Sequence, residues 1–122
     1  MLFRSRTARE AGDQSVNAAS DPLFLNARVQ LAELALRYGF PLMGDFREQV
    51  EAGALLGYGP VFATIYRRAA AYVDKIFKGA KPADLPVEQP MTFDFVVNLK
   101  TARALGLTFP HEILLQVTEV IH

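Results

Sequence analysis

The ionisable residues that come nearest to a catalytic arrangement are Arg47, Glu48 and Glu51, where two carboxylates three positions apart share one side of a helix. Paired carboxylates can do acid-base work. No nucleophile or second ionisable cluster accompanies them, so the pattern reads as a solvated helix face, as does Arg67-Arg68 with Asp74-Lys75. His111 and His122 are the only histidines, and their separation is no metal-ligand spacing. Gly57-Tyr58-Gly59 lacks the third glycine and the helix pattern of a dinucleotide fingerprint, and no Walker lysine follows any glycine cluster. Neither a metal nor a cofactor is expected, and an α/β enzyme is the weakest functional reading for want of a catalytic set.

Binding is better served. In open α/β sheets, ligands sit beyond the carboxyl ends of the strands and meet helix N-termini, whose free N–H groups favour carboxylates and similar anions. That rule nominates four places: Asp21 after the first strand, Asp45 with Phe46 after the second, Tyr58 between Gly57 and Gly59 after the third, and the capping region at Asn98. Tyr58 can stack on a flat solute or hydrogen-bond it, and the glycines let backbone approach closely. The competing roles are structural: helix capping for Asp21 and Asp45, turn glycines and a half-buried hinge tyrosine for the triplet.

These positions depend on elements that the pattern of apolar residues outlines. Residues 3–11 suit a short helix ending at Gly12, and Ser15–Ser20 a small-residue strand. Phe24, Ala27, Leu31, Leu34, Ala35 and Tyr38 recur at helical spacing up to Gly39. Pro41–Gly44 then suits a buried strand, Asp45 with Phe46 opens a helix to Gly53, and Ala54–Tyr58 is the next strand. After Pro60, the residues Phe62, Ile65, Tyr66, Ala69, Val73, Ile76 and Phe77 draw a strong apolar stripe that stops at Gly79. Lys81–Pro90 carries three of the 7 prolines and no helical period, so it reads as an extended connector. Met91–Asn98 alternates as a strand, Asn98 can cap a helix to Leu105, and Pro110 opens a last helix running to Val120 or Ile121. About four short strands alternating with helices favour a three-layer α/β fold with a mainly parallel, incomplete sheet.

Composition narrows the partners. In 122 residues, 51% of them hydrophobic, there is enough apolar material for one core. Thirteen basic residues balance thirteen acidic ones, which removes the electrostatic footprint of a nucleic-acid or anionic-membrane binder. Cysteine is absent, so disulfides and thiolate chemistry are excluded and compartment stays open. The opening residues contain no apolar core of a signal peptide, so the chain as written is not expected to be exported.

The stretch Phe46-Arg-Glu-Gln-Val-Glu-Ala-Gly-Ala-Leu-Leu-Gly-Tyr-Gly-Pro60, with Tyr66-Arg-Arg-Ala-Ala-Ala-Tyr-Val-Asp-Lys-Ile-Phe-Lys-Gly-Ala-Lys-Pro-Ala-Asp-Leu-Pro-Val-Glu-Gln-Pro90 and Phe93-Asp-Phe-Val-Val-Asn-Leu-Lys-Thr-Ala-Arg-Ala-Leu-Gly-Leu107, closely resembles the ABC-transporter substrate-binding family that includes tryptophan and tyrosine binders. The resemblance implies type I periplasmic binding proteins, in which two α/β lobes joined by three crossings close over a solute. By that analogy residues 1–58 and 92–122 belong to a second lobe, and the helix and crossing over 61–90 pack on a first lobe that this chain does not contain. An extracytoplasmic location and a membrane permease as partner are implied in the same way. Gly57 stands where relatives commonly have serine, and Met43-Gly44-Asp45 replaces a more usual aromatic strand end.

Two functions follow as expectations. The first is a module that binds a small organic solute such as an amino acid, without catalysis, through Asp21, Asp45, Phe46, Gly57, Tyr58 and Gly59. The alternative is a self-associating α/β lobe with no physiological ligand. In either case the apolar stripe of the Phe62–Phe77 helix, unpartnered by any lobe of this chain, leads us to expect a homodimer.

Overall fold

Strands are separated by one or two helices in a computed structural model that describes residues 5–122. The elements are α1 (Ser5–Glu10), β1 (Val16–Asn17), α2 (Pro22–Asn26), α3 (Arg28–Arg37), β2 (Leu42–Gly44), α4 (Arg47–Glu51) and β3 (Leu56–Pro60). Then come α5 (Phe62–Phe77), β4 (Phe93–Asn98), α6 (Leu99–Ala104), α7 (His111–Leu114) and β5 (Glu119–Ile121). The expected first helix is found as α1, while residues 3 and 4 lie outside the described residues. Five strands form one sheet in sequence order, β1-β2-β3-β4-β5. The β1–β2, β2–β3 and β4–β5 pairs are parallel, with Val16 opposite Leu42, Gly44 opposite Gly57, and Val97 opposite Val120.

Three expectations need correction. The helix over Phe24–Tyr38 is two helices, because Ala27 leaves helical geometry at φ −89° and ψ 12° and serves as cap to both α2 and α3. The helix after Pro110 lasts only four residues. Beyond it, Glu119–Ile121 pairs alongside β4, and Thr118 N–H bonds to Phe95 O at 2.8 Å. Val117, Thr118, Val120 and Ile121 are β-branched, which favours the pleated edge over another helical turn. The sheet consequently has five strands instead of about four.

Helix ends follow from local chemistry. Gly39, at φ 70°, takes the left-handed turn that stops α3, so that Phe40 N–H reaches Ala35 O at 2.8 Å. This turn drives the Phe40 ring into the core, where it is 1% exposed. Around it lie Ala18, Leu31, Ala32, Ala35, Leu42 and Ala54. Such a ring contributes about 1.5–3 kcal/mol by leaving water. Val50, Val96 and Val97 are equally buried, and α3 and α4 both pack over β2.

The chain divides into two compact units, one reaching Gly59 and resuming over Asp94–His122, the other formed by Pro60–Phe93. In the second, α5 is followed by a short 3-10 turn at Pro82–Asp84 and an otherwise extended return. Tyr72 OH donates to Pro86 O at 2.6 Å, Arg68 pairs with Glu88, and Val61 N–H bonds to Thr92 O at 3.1 Å. A groove of about 440 Å³ runs between Ile65, Ala69 and Tyr72 on the helix and Pro86, Pro90 and Met91 on the return. No side chain of α5 is buried.

Candidate functional site

The parallel register brings the carboxyl ends of β1, β2 and β3 side by side. Asp21 lies in the turn after β1 and Asp45 with Phe46 in the turn after β2, whereas Gly57, Tyr58 and Gly59, expected after the third strand, lie within β3, which runs on to Pro60. Ser20, in the turn after β1, donates its hydroxyl to Asp45 Oδ2 in the turn after β2. The two turns are thereby clasped across 25 positions of sequence. Asp45 does not cap α4 as expected: Phe46 occupies the N-cap position, and the buried Gln49 reaches back to do the work. Its Oε1 accepts from Asp45 N–H at 2.9 Å and Phe46 N–H at 3.1 Å. Asp21, in contrast, does cap α2, with its Oδ1 accepting from Leu23 N–H at 2.7 Å.

The glycines of β3 serve packing. A Cβ at Gly59 would overlap the carbonyl oxygen of Asp45, and one at Gly57 would meet Val50 Cγ2 at 2.6 Å. Gly57 and Gly59 are both buried, so the backbone they admit closely is that of the protein's own β2–α4 turn. Between them Tyr58 points the other way and is 51% exposed. Its ring meets Phe95 of β4 edge to face, centroids 5.9 Å apart at 85°. Asn98 is committed to structure: its Oδ1 accepts from Thr101 N–H at 3.0 Å and its Nδ2 donates to Val50 O at 3.1 Å.

The resulting rim differs in character from the anion-binding helix ends that strand-end geometry suggested. Leu23 spends its N–H on Asp21 of the preceding turn, and Asp45 and Phe46 spend theirs on Gln49 of α4. What faces outward is carboxylate and aromatic. Arg47, the basic residue closest in sequence, donates through Nε to Glu51 at 2.7 Å and through Nη2 to Glu119 at 2.7 Å. Those contacts, the bond to Glu51 foremost, hold its guanidinium protonated above its ordinary range. They make Arg47 and Glu51, with Glu119, a surface clamp between α4 and β5, while Glu48 stays exposed on the same helix. His111 and His122 are exposed at the far end of the chain, and no cluster of three potential metal-ligating side chains exists among the described residues.

Ser20, Gln49 and Phe95 escaped sequence reasoning. Ser20 was legible only as the neighbour of Asp21, Gln49 as one polar residue in a short helix, and Phe95 as part of a strand alternation.

A mostly parallel five-stranded α/β sheet is an architecture found in periplasmic binding protein lobes. The chain belongs to the ABC transporter substrate binding protein family, whose profile it matches over residues 5–121. That family is defined by binding of a substrate. A conserved domain protein from Vibrio cholerae O1 biovar El Tor superposes with TM-score 0.88 at 27% identity, over 95% of this chain and 39% of that one. The ABC domain in complex with L-Trp from Streptococcus pneumoniae superposes with TM-score 0.85 at 24% identity, over 94% of this chain and 39% of that one. A ligand-free, open substrate-binding protein with adhesive properties from Clostridium difficile gives TM-score 0.62 at 18% identity, over 99% and 42% of the two chains. The chain thus spans about 39% of the length of the first two structures it resembles. No curated protein matches it.

Proposed function

We propose that the protein forms one wall of a solute site for an ABC importer, binding a small organic molecule that carries an amino group, an amino acid in the simplest case, without chemical change. The observation that carries this reading is the family match over residues 5–121. The rim supports the choice of solute. Asp45 and Asp21 supply acceptors for an ammonium group, and Tyr58, braced by Phe95 and half exposed, supplies an aromatic face for a flat side chain. The similar pneumococcal domain holds L-Trp, which is a solute of that description. In this reading the protein works outside the cytoplasm and delivers its solute to a membrane permease.

Calorimetric titration with a panel of amino acids tests the proposal. Saturable heat with one or more members is the expected result. Silence across the panel, in a protein whose circular dichroism shows it folded, refutes it and favours a lobe without a physiological ligand.

A further inference from the structure

We infer that Ser20 is a positioning residue that acts through Asp45 and makes recognition depend on a cationic nitrogen in the solute, an inference that rests on the solute reading above. The Ser20 hydroxyl donates to Asp45 Oδ2. A hydroxyl is a neutral donor, so it fixes the rotation of the carboxylate without cancelling its charge as an arginine or lysine would. The basic residues nearby are engaged elsewhere. Arg47 donates to Glu51 and Glu119, and Arg28 donates through Nη1 to Leu25 O at 3.0 Å. Asp45 makes no ion pair among the described residues.

Both ends of this bond are anchored. On the Ser20 side, Ala18 N–H is tied to Met43 O at 2.9 Å, and Asp21 caps α2 through Leu23 N–H at 2.7 Å. On the Asp45 side, the buried Gln49 Oε1 accepts from Asp45 N–H at 2.9 Å, and the Asp45 carbonyl lies so close to Gly59 that a Cβ there would overlap it. The backbone is thus set on either side of the gap, and what remains free is the rotation of the Asp45 side chain. Ser20 removes that freedom. Oδ1 accepts from no group among the described residues and is the oxygen left for a donor from outside. An ammonium group fits it as a charge-assisted donor, whereas a solute without a cationic nitrogen gains nothing from the lock.

The ligand-free protein gives the first readout. In urea, a cycle of Ser20→Ala, Asp45→Ala and the double variant should show a coupling of about two- to tenfold in the unfolding equilibrium constant, the range of one net hydrogen bond. Simple additivity overturns the inference. Calorimetric titration with an amino acid that binds the wild type gives the second. Ser20→Ala should weaken it about tenfold, the scale of a bond to a charged group, and Ser20→Thr, which keeps the hydroxyl, should restore the affinity. Added to Asp45→Ala, Ser20→Ala should change nothing further. The des-amino analogue of the same amino acid should bind the wild type at least about tenfold more weakly or not at all, and Ser20→Ala should not weaken it further. Equal losses for amino acid and analogue mark a general role in the fold, and they overturn this inference while the solute reading stands. Silence of the wild type across the amino-acid panel, with the coupling in urea preserved, refutes the solute reading and the role of Ser20 with it.

Discussion

Replacing Gly59 by alanine probes the packing that shapes the candidate site. The residue has no left-handed backbone to defend, so the cost is purely steric: the new Cβ would overlap the Asp45 carbonyl oxygen and approach its carbon at 2.8 Å. Backbone cannot swing aside as a side-chain tip can. Overpacking in such a place costs about 1–3 kcal/mol, and the upper end applies here. Moving Asp45 also strains its bonds to Ser20 and Gln49, each worth about 0.5–1.5 kcal/mol. The expected loss is therefore about 3–5 kcal/mol, seen in urea denaturation as a lower midpoint with an unchanged slope. Gly106→Ala is the control, since it meets open space at φ 68° and pays only the left-handed penalty of about 1 kcal/mol. Were Gly59→Ala no more damaging than Gly106→Ala, the β2–α4 turn would not lie against β3 as described.

Other outcomes follow from named contacts. Asn98→Ala should destabilise by about 2–3 kcal/mol in the same denaturation assay, because it removes the α6 cap and strands the buried Val50 carbonyl. Tyr58→Ala should weaken any amino acid found to bind by about tenfold, from loss of an aromatic face worth roughly 0.5–1.5 kcal/mol beyond its area, and an unchanged Kd would put the site elsewhere. Asp45→Asn should weaken the same ligand and lower the stability in urea by no more than about 1 kcal/mol, since the amide oxygen can still accept from Ser20 but without the carboxylate's charge. The Arg68 guanidinium, bonded to Glu88, holds that carboxyl below its ordinary 4.5. A depressed carboxylate stabilises its contact above the unfolded pKa and loses it as pH falls through the folded one, so the α5 return should stay attached at neutral pH and loosen only in acid. Carboxyl-detected NMR should show the Glu88 titration moving up in Arg68→Gln, and no movement would refute the pairing.

Local rules found what is locally determined. The Phe62–Phe77 helix was legible because its stripe, its proline at the start and Gly79 at the end agree. Asp21 capping and Asn98 capping were legible for the same reason, since each acts within three residues of itself. The end of the chain was not. Ile113, Leu114, Val117 and Val120 fit a helical period, yet β4 offered the last residues an edge to pair with, and that contact is invisible in a window of sequence. The same blindness hid the Ser20–Asp45 clasp and the T-shaped pairing of Tyr58 with Phe95. Gln49 was missed because a cap supplied from inside the helix leaves no mark at the helix start.

The chain leaves the sheet at the end of β3 and rejoins it at the start of β4, with residues 61–92 spent in between. Closing a flexible loop grows harder only slowly with its length, by about 0.6 kcal/mol for each doubling. The excursion is therefore a tolerant place for insertion: extra residues near the 3-10 turn at Pro82–Asp84 lengthen a path the sheet has already closed over. It also sets an order of assembly. The β1–β3 pairings close over short separations and can form first, whereas β4 must wait for the longest detour in the chain, and folding should accelerate most when that detour is shortened.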